Sequence, residues 1–299
     1  MHILITGGTG LIGRALCHQW IENGHQVSVW SRRAAQVPVL CGTQVRGVSR
    51  LEELDGQPVD AVVNLAGAGI IDRPWSKARK QVLWESRIGL TERLLAWLET
   101  CEQKPQVLIS GSAVGWYGDA GEHPIDESAP PGADFAAQLC VAWEDTAQRA
   151  EALGIRVVLL RTGLVLAKDG GILKRMTLPF RLALGGRIGD GRQWMPWIHL
   201  ADQIALIDFL LQHEQASGPY NACAPQPVRN YEFASELGHA LSRPAILPVP
   251  AFALRTGLGE MAVLLLGGQH ALPKRALDAG FEFRFTHLDV ALVDLLKLH

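Results

Sequence analysis

The sequence predicts an α/β fold: a Rossmann-type, doubly wound parallel sheet with a smaller, composite C-terminal substrate-binding part. Three observations predict it. Ile3-Leu4-Ile5 is a short apolar run that passes through Thr6-Gly7-Gly8-Thr9-Gly10-Leu11-Ile12-Gly13 into a helical stretch. Apolar strand-like runs then alternate with helical stretches, the pattern of helices laid on both faces of a parallel sheet. After about Gly163 this rhythm loosens, and Pro225, Pro227, Pro244, Pro248 and Pro250 interrupt the last third.

The first strand and turn carry a stated chemistry. Glycines without a Cβ let the backbone turn tightly and let a pyrophosphate approach the amides. The helix that follows offers unpaired N–H groups and a positive dipole end to an anion. Thr6, Gly7, Gly10, Leu11, Ile12 and Gly13 are therefore expected to contact a dinucleotide, ahead of a flavin- or sugar-phosphate-binding turn. Residues 26–30 read as the second strand. An NAD enzyme usually places an acid at its end for the ribose 2′-OH. Here Ser31-Arg32-Arg33 follows, and a guanidinium pairs with a 2′-phosphate. NADP(H) is the expected cofactor, held mainly through Arg32 and with Ser31 beside it.

The next elements follow in order. Residues 59–67 read as a buried strand and turn, which brings Asn64, Ala66 and Gly67 to the cofactor. A long helix is expected over 76–102, a strand over 107–112, a helix over 134–153 and a strand over 155–161. Gly170-Gly171 and Gly185-Gly186 punctuate shorter pieces, with substrate-part insertions near 166–196. A helix over 198–212 is expected to open at His199. The predicted division is 1–225 for the dinucleotide domain and 226–299 for a small C-terminal domain.

Composition narrows the function. Of 299 residues, 48% are hydrophobic, ample for a core, and the net charge of −2 gives no basic footprint for nucleic acid. The five cysteines, 17, 41, 101, 140 and 223, are odd in number and scattered. They fit reduced thiols and a cytoplasmic setting rather than a disulfide framework. No metal-ligand spacing occurs among the ten histidines. Met1 leads directly into a strand, so no signal peptide is expected. The apolar run at 261–266 is far too short to span a bilayer, so no membrane partner is expected.

Taken together, the Thr6–Gly13 turn, Asn64-Leu65-Ala66-Gly67, Ser110-Gly111-Ser112-Ala113 with Tyr117-Gly118, and His199-Leu200-Ala201-Asp202 resemble the extended short-chain dehydrogenase/reductase family, of the nucleotide-sugar epimerase/dehydratase type. The resemblance covers roughly 1–225. Residues 248–298 resemble a small C-terminal module of one "epimerase family protein" branch, a name that fixes no activity. The resemblance implies a Tyr-x-x-x-Lys pair on one helical face, because residues four apart share a face. This chain lacks it: tyrosine occurs only at 117, 220 and 231, and Gly121, Ala224 and Ser235 stand four residues later. If Trp143-Glu144 marks the family's acidic helix position, Ala136 fills the tyrosine slot and Cys140 the lysine slot. The family's diphosphate-binding arginine also has no counterpart, since Met195 takes its place after Gly189-Asp190-Gly191. Arg192 could reach from a shifted register, yet a nucleotide sugar is not the expected substrate.

Other candidates remain. Ser112 matches the family's catalytic serine, with a strand-end serine bonding backbone as an equal alternative. Tyr117, in the following loop, is the tyrosine expected nearest the nicotinamide, as proton donor or aromatic lid. Trp116, Arg192, Trp194, Trp197 and His199 are the expected substrate-side residues; Trp75 joins the tryptophans expected around the cleft. Lys168 reads as a loop lysine or a cofactor contact. The expected function is an NADP(H)-binding oxidoreductase or epimerase-like enzyme with an atypical active site and a small substrate. A non-catalytic NADP(H)-binding sensor is the rival, and the two long helices leave a homodimer open.

Overall fold

The computed structural model describes residues 1–168 and 170–296. The last two positions of the 248–298 resemblance therefore lie outside the described residues. Seven parallel strands form the central sheet: β1 (His2–Thr6), β2 (Gln26–Trp30), β3 (Arg46–Val48), β4 (Ala61–Asn64), β5 (Val107–Ala113), β6 (Arg156–Thr162) and β7 (Gly218–Ala222). Their order across the sheet is β7-β6-β5-β4-β1-β2-β3. The order reverses between β1 and β4, which pair from Ile3 with Ala61 to Thr6 with Asn64. Ligands of such sheets bind outside the carboxyl ends of the strands at this reversal. Helices cover both faces, so β1 and β4 are buried along their whole length and read as unbroken apolar runs rather than alternating ones.

One face is covered by Leu11–Glu22 and Leu200–Gln212. Trp20, fully buried, donates from Nε1 to Asp208 Oδ1 at 3.0 Å and joins these two helices. The other face carries Phe135–Gln148 and a long helical run. That run departs from the single regular helix expected over 76–102. It comprises Lys77–Trp84, a π-helical turn over Glu85–Gly89, and Leu90–Thr100. Inside the π turn Ser86 and Arg87 engage the loop after β4. Ala68 N–H donates to Ser86 Oγ at 3.0 Å, and Arg87 donates to Ala68 O at 3.1 Å. Thr91 Oγ1 also donates to the Arg87 carbonyl at 2.7 Å.

A second correction concerns His199. Trp197–His199 is a short strand parallel to Leu164–Ala167, and the helix begins at Leu200. Trp197-Ile198 continues the apolar pattern of the helix, but pairing with 164–166 holds it extended. His199 is the N-cap, its Nδ1 accepting from Ala201 N–H at 3.0 Å.

Beyond β7, helices Asn230–Ala240, Ala251–Leu258 and Leu288–Leu296 follow, with shorter pieces between. Residues on both sides of position 225 share one apolar core: Leu166, Leu173 and Trp197 pack with Phe233, Leu237, Phe285 and Leu292. His270-Ala271 pairs with Pro124-Ile125, and the buried carboxylate of Asp202 accepts from Arg284 N–H at 3.0 Å and Phe285 N–H at 2.9 Å. Asp202→Ala leaves those two amides unpaired and should lower stability by about 2–4 kcal/mol. Denaturant unfolding measures the loss, and hydrogen exchange should show residues 281–296 opening first. Unchanged stability and protection would show that this clamp carries no weight.

Candidate cofactor cleft and substrate cavity

At the reversal of strand order the glycine turn is packed to the limit of what backbone allows. Gly7 has φ +71°, and a Cβ there would lie 2.8 Å from the Leu65 backbone. A Cβ on Gly13 would fall 2.4 Å from Gly7 O, so only glycine lets the helix seat on the turn. Gly10 caps the helix that starts at Leu11, whose first-turn amides have no intrahelical partner. Gly7, Gly10, Leu11, Ile12 and Gly13 line a cleft of about 300 Å³, closed opposite by Leu65, Gly163–Val165 and Gly171-Ile172. The donor set and the glycine cradle fit a dinucleotide pyrophosphate.

The other expected cofactor residues fall in two groups. Thr6, Asn64 and Ala66 brace the turn from below: Thr6 Oγ1 donates to Asn64 Oδ1 at 2.7 Å and accepts from Ala66 N–H at 3.1 Å. Asn64 passes the connection on to Thr91 Oγ1 at 2.9 Å. Gly67 lies against Arg87, whose guanidinium would sit 2.9 Å from a Cβ there. Ser31 and Arg32 stand at the tip of β2. Ser31 Oγ accepts from Arg33 N–H at 3.1 Å, and Arg32 is exposed and in no ion pair among the described residues.

The cleft continues into a second cavity of about 320 Å³; Gly163, Leu164 and Ile172 line both. Its walls are mostly apolar. The end of β5 gives Ala113, Val114 and Gly115, the insertion gives Met176 and Ile188, and residues 263–265 close the far side. Gln193 holds that far side by donating to Leu265 O at 2.8 Å. Among the described residues no lysine, arginine or histidine lines the cavity. Asp134, the one acid among its described lining residues, caps helix Phe135–Gln148 by accepting from Ala137 N–H at 2.9 Å. Ala136 and Cys140, one helical turn apart, both face this space. Burial, and then the neighbouring Glu144 charge, push the Cys140 thiol up to about 11.

Behind the cavity wall runs a buried polar chain. Ser112 Oγ donates to Glu144 Oε1 at 2.6 Å. Arg161 grips the same carboxylate through Nε and Nη2, each at 2.9 Å. Its remaining nitrogen donates to Tyr117 Oη at 3.1 Å and to Glu127 O at 3.2 Å. Tyr117 Oη donates onward to Asn221 Oδ1 at 2.8 Å, and Asn221 N–H donates to Glu127 Oε1 at 3.0 Å. Burial pushes the Tyr117 phenol up to about 12. The Arg161 guanidinium lies 3.9 Å from the centre of the Trp116 ring. The structure thus brings Ser112, Trp116 and Tyr117 together, but around Arg161 rather than in the lining of the cavity.

The remaining expected substrate residues are dispersed. Trp194 lines the cavity, stacked on His270 at 3.8 Å and covered by Arg229. Trp197 is fully buried and donates to Gln226 O at 3.1 Å. Arg192 is exposed, 3.9 Å from Glu122. His199 stacks on Phe285 and lies 3.4 Å from Asp294; burial holds its pKa below the usual value. Trp75 packs edge-on against Phe135, and Lys168 is exposed. Sequence reasoning did not single out Arg161 or residues 263–265. An arginine closing the apolar run Val157–Leu160 was the readable signal for the first, because a charge on a central strand demands a buried partner.

A parallel sheet with this order, a glycine cradle at its reversal and an adjoining cavity define a Rossmann-type dinucleotide-binding protein of the short-chain dehydrogenase/reductase kind. The chain belongs to the NAD-dependent epimerase/dehydratase family, whose model matches residues 3–223. Residues 249–295 match a domain of unknown function, DUF1731. The chain is 38% identical to the epimerase family protein YfhF of Bacillus subtilis, over 99% of this chain and 98% of that protein. It is 40% identical to the chloroplastic SDR39U1 homolog of Arabidopsis thaliana, over 99% and 87% respectively. Among solved structures, human epimerase family protein SDR39U1 with NADPH superposes with a TM-score of 0.89 at 34% identity, covering 99% of each chain. UDP-glucuronic acid 4-epimerase from Bacillus cereus, at 18% identity and a TM-score of 0.78, shares the fold.

The environment of Cys140 has a direct readout. Its alkylation by a small neutral reagent should rise about tenfold per pH unit from pH 7 to 9 without levelling, because only the thiolate reacts. Mass spectrometry of the modified peptide follows the rate. A plateau near pH 8 would mean that the thiol sees solvent and not the apolar wall.

Proposed function

We propose that the chain is an NADP(H)-dependent oxidoreductase with an atypical site, acting on a small substrate with an apolar body rather than on a nucleotide sugar. The observation that carries this reading is the continuity of the two cavities. A glycine-lined cleft suited to a pyrophosphate opens into a mostly apolar space with no cationic side chain among the described residues. A sugar-nucleotide diphosphate needs charge-assisted donors, and Met195 and Trp194 offer none at that wall. NADPH in the human relative supports the cofactor assignment, as does Arg32 at the tip of β2.

In this reading the backbone at Gly10–Gly13 holds the pyrophosphate, and Arg32 pairs with the 2′-phosphate. The bound cofactor would supply or accept a hydride. The walls at Val114, Met176 and 263–265 orient an apolar substrate and exclude bulk water. Ser112 and Tyr117 act as positioning residues, since their hydroxyls bond Glu144 and Asn221 and keep the Ala113–Gly115 edge in place. The accompanying proton comes from water admitted to the cavity.

The sensor reading has one specific observation in its favour. Both candidate hydroxyls are bonded within the wall, and, if Trp143-Glu144 marks the family's acidic helix position, Ala136 and Cys140 stand at the slots of the proton-transferring pair.

Two experiments test these readings. In fluorescence titrations NADPH should bind more tightly than NADH, and Arg32→Ala should weaken NADPH about 10- to 150-fold, the loss of one charge-assisted contact. Equal affinity of the unaltered protein for both cofactors would overturn the NADP(H) assignment. For the substrate, NADPH oxidation should be found among aldehydes, ketones and enones with apolar bodies, while calorimetry with UDP-glucose shows no submillimolar binding. Tyr117→Phe should lower that turnover less than about tenfold. A loss in the range of about 10²–10⁴, typical of a general acid, would place Tyr117 at the reacting centre. No turnover on a broad panel with tight NADPH binding would favour the sensor.

A further inference from the structure

The segment that supplies Ile172, Met176 and Ile188 to the cavity meets a second segment beyond it. Residues 171–189 and 243–259 hold six basic residues and no acidic one, with Asp190 and Glu260 directly after them and Glu260 paired with Lys80, in a chain whose net charge is −2. Backbone hydrogen bonds join them: Leu247 N–H donates to Gly185 O at 3.1 Å and Val249 N–H to Arg187 O at 2.8 Å. From these joined segments large apolar side chains stand in water. Ile246 is 75% exposed, Phe252 72%, Leu182 63% and Leu178 62%. Arg181, Arg187, Arg243 and Arg255 are exposed among them, and none forms an ion pair among the described residues. Beside Ile246 lies a groove of about 540 Å³ lined by Arg187, Arg243, His239, Tyr231 and Ser235, with no carboxylate among the described residues of its lining.

We propose that this face docks on an anionic bilayer surface, with lipid headgroup phosphates in the groove and Ile246, Phe252, Leu178 and Leu182 in the acyl boundary. Apolar prongs ringed by cations are what interfacial binding requires: buried apolar area together with attraction to anionic lipid. Arginine suits the role because its stem lies in the apolar layer while its head stays with the phosphates. A second copy of the chain is a poor occupant, since a twofold contact would set these unpaired arginines against their equivalents. An added β-strand is also poorly served, because Pro244, Pro248 and Pro250 carry no N–H. The chain would lie on the bilayer, not in it. No helix among the described residues is long and apolar enough to cross one, and the expectation of no membrane partner rested on that length alone.

The test is flotation of the full chain with vesicles. It should float with phosphatidylglycerol–phosphatidylcholine vesicles, weaken with added salt, and stay behind with phosphatidylcholine alone. Arg187→Gln with Arg243→Gln should weaken binding about 25-fold, from about fivefold per arginine. Ile246→Ser with Phe252→Ser should also release the protein. NADPH affinity, measured on both pairs, should be unchanged and so report an intact fold. Competing inorganic phosphate should not release the protein as the apolar pair does; full release would reduce the site to a phosphate pocket and overturn the proposal. Absence of flotation, equal flotation on neutral vesicles, or a dimer that the apolar pair converts to monomer would each overturn it as well.

Discussion

The buried pair of Arg161 and Glu144 is the constraint around which the molecule is organised. Their side chains are 4% and 3% exposed. A charge left alone in such a place costs several kcal/mol, so neither is tolerable without the other. Arg161 stands near the end of β6 and Glu144 on the helix that covers the sheet. Their bidentate contact therefore fixes how that helix lies across β5 and β6. The same guanidinium carries the constraint outward. Through Tyr117 it reaches Asn221 on β7, and through Glu127 O it holds the loop whose carboxylate meets Asn221 N–H.

This arrangement explains the character of the cavity. Helix Phe135–Gln148 turns one face inward with Ala136 and Cys140, and Glu144, one turn further on, gathers the Ser112 hydroxyl and the Arg161 charge behind the wall. The hydroxyls of Ser112 and Tyr117 are likewise bonded within the protein. What faces the open space is mostly apolar, with Asp134, Gln193, Asn230 and Gln269 among the lining.

Much of this was legible in the sequence, and the limits have physical causes. β1, its glycine turn and the following helix were readable because the required residue types are nearly unique to that geometry. β2 was found with its boundaries because Val27, Val29 and Trp30 have strand character and Gly24 and Ser31 stand on either side of it. The helix expected to open at His199 was misplaced for the opposite reason: Trp197 and Ile198 fit a helical pattern locally, and only pairing with 164–166 makes them a strand. The π turn at Glu85–Gly89 left no periodic mark. Among the tryptophans, sequence shows bulk and not surroundings, so fully buried Trp197 and cavity-lining Trp194 read alike. The contribution of 263–265 was invisible because nothing local ties that run to Ala113 or Cys140, far earlier in the chain.

That distant wall gives the protein a temporal order. Chains emerge from the ribosome N-terminus first, and domains fold as their parts become available. The residues lining the cleft end at Ile172, whereas those lining the neighbouring cavity run on to Gln269. During synthesis the residues that line the dinucleotide cradle are therefore all present while the cavity still lacks its far side. A chain that has not yet delivered 263–269 holds one wall of the cavity without the other.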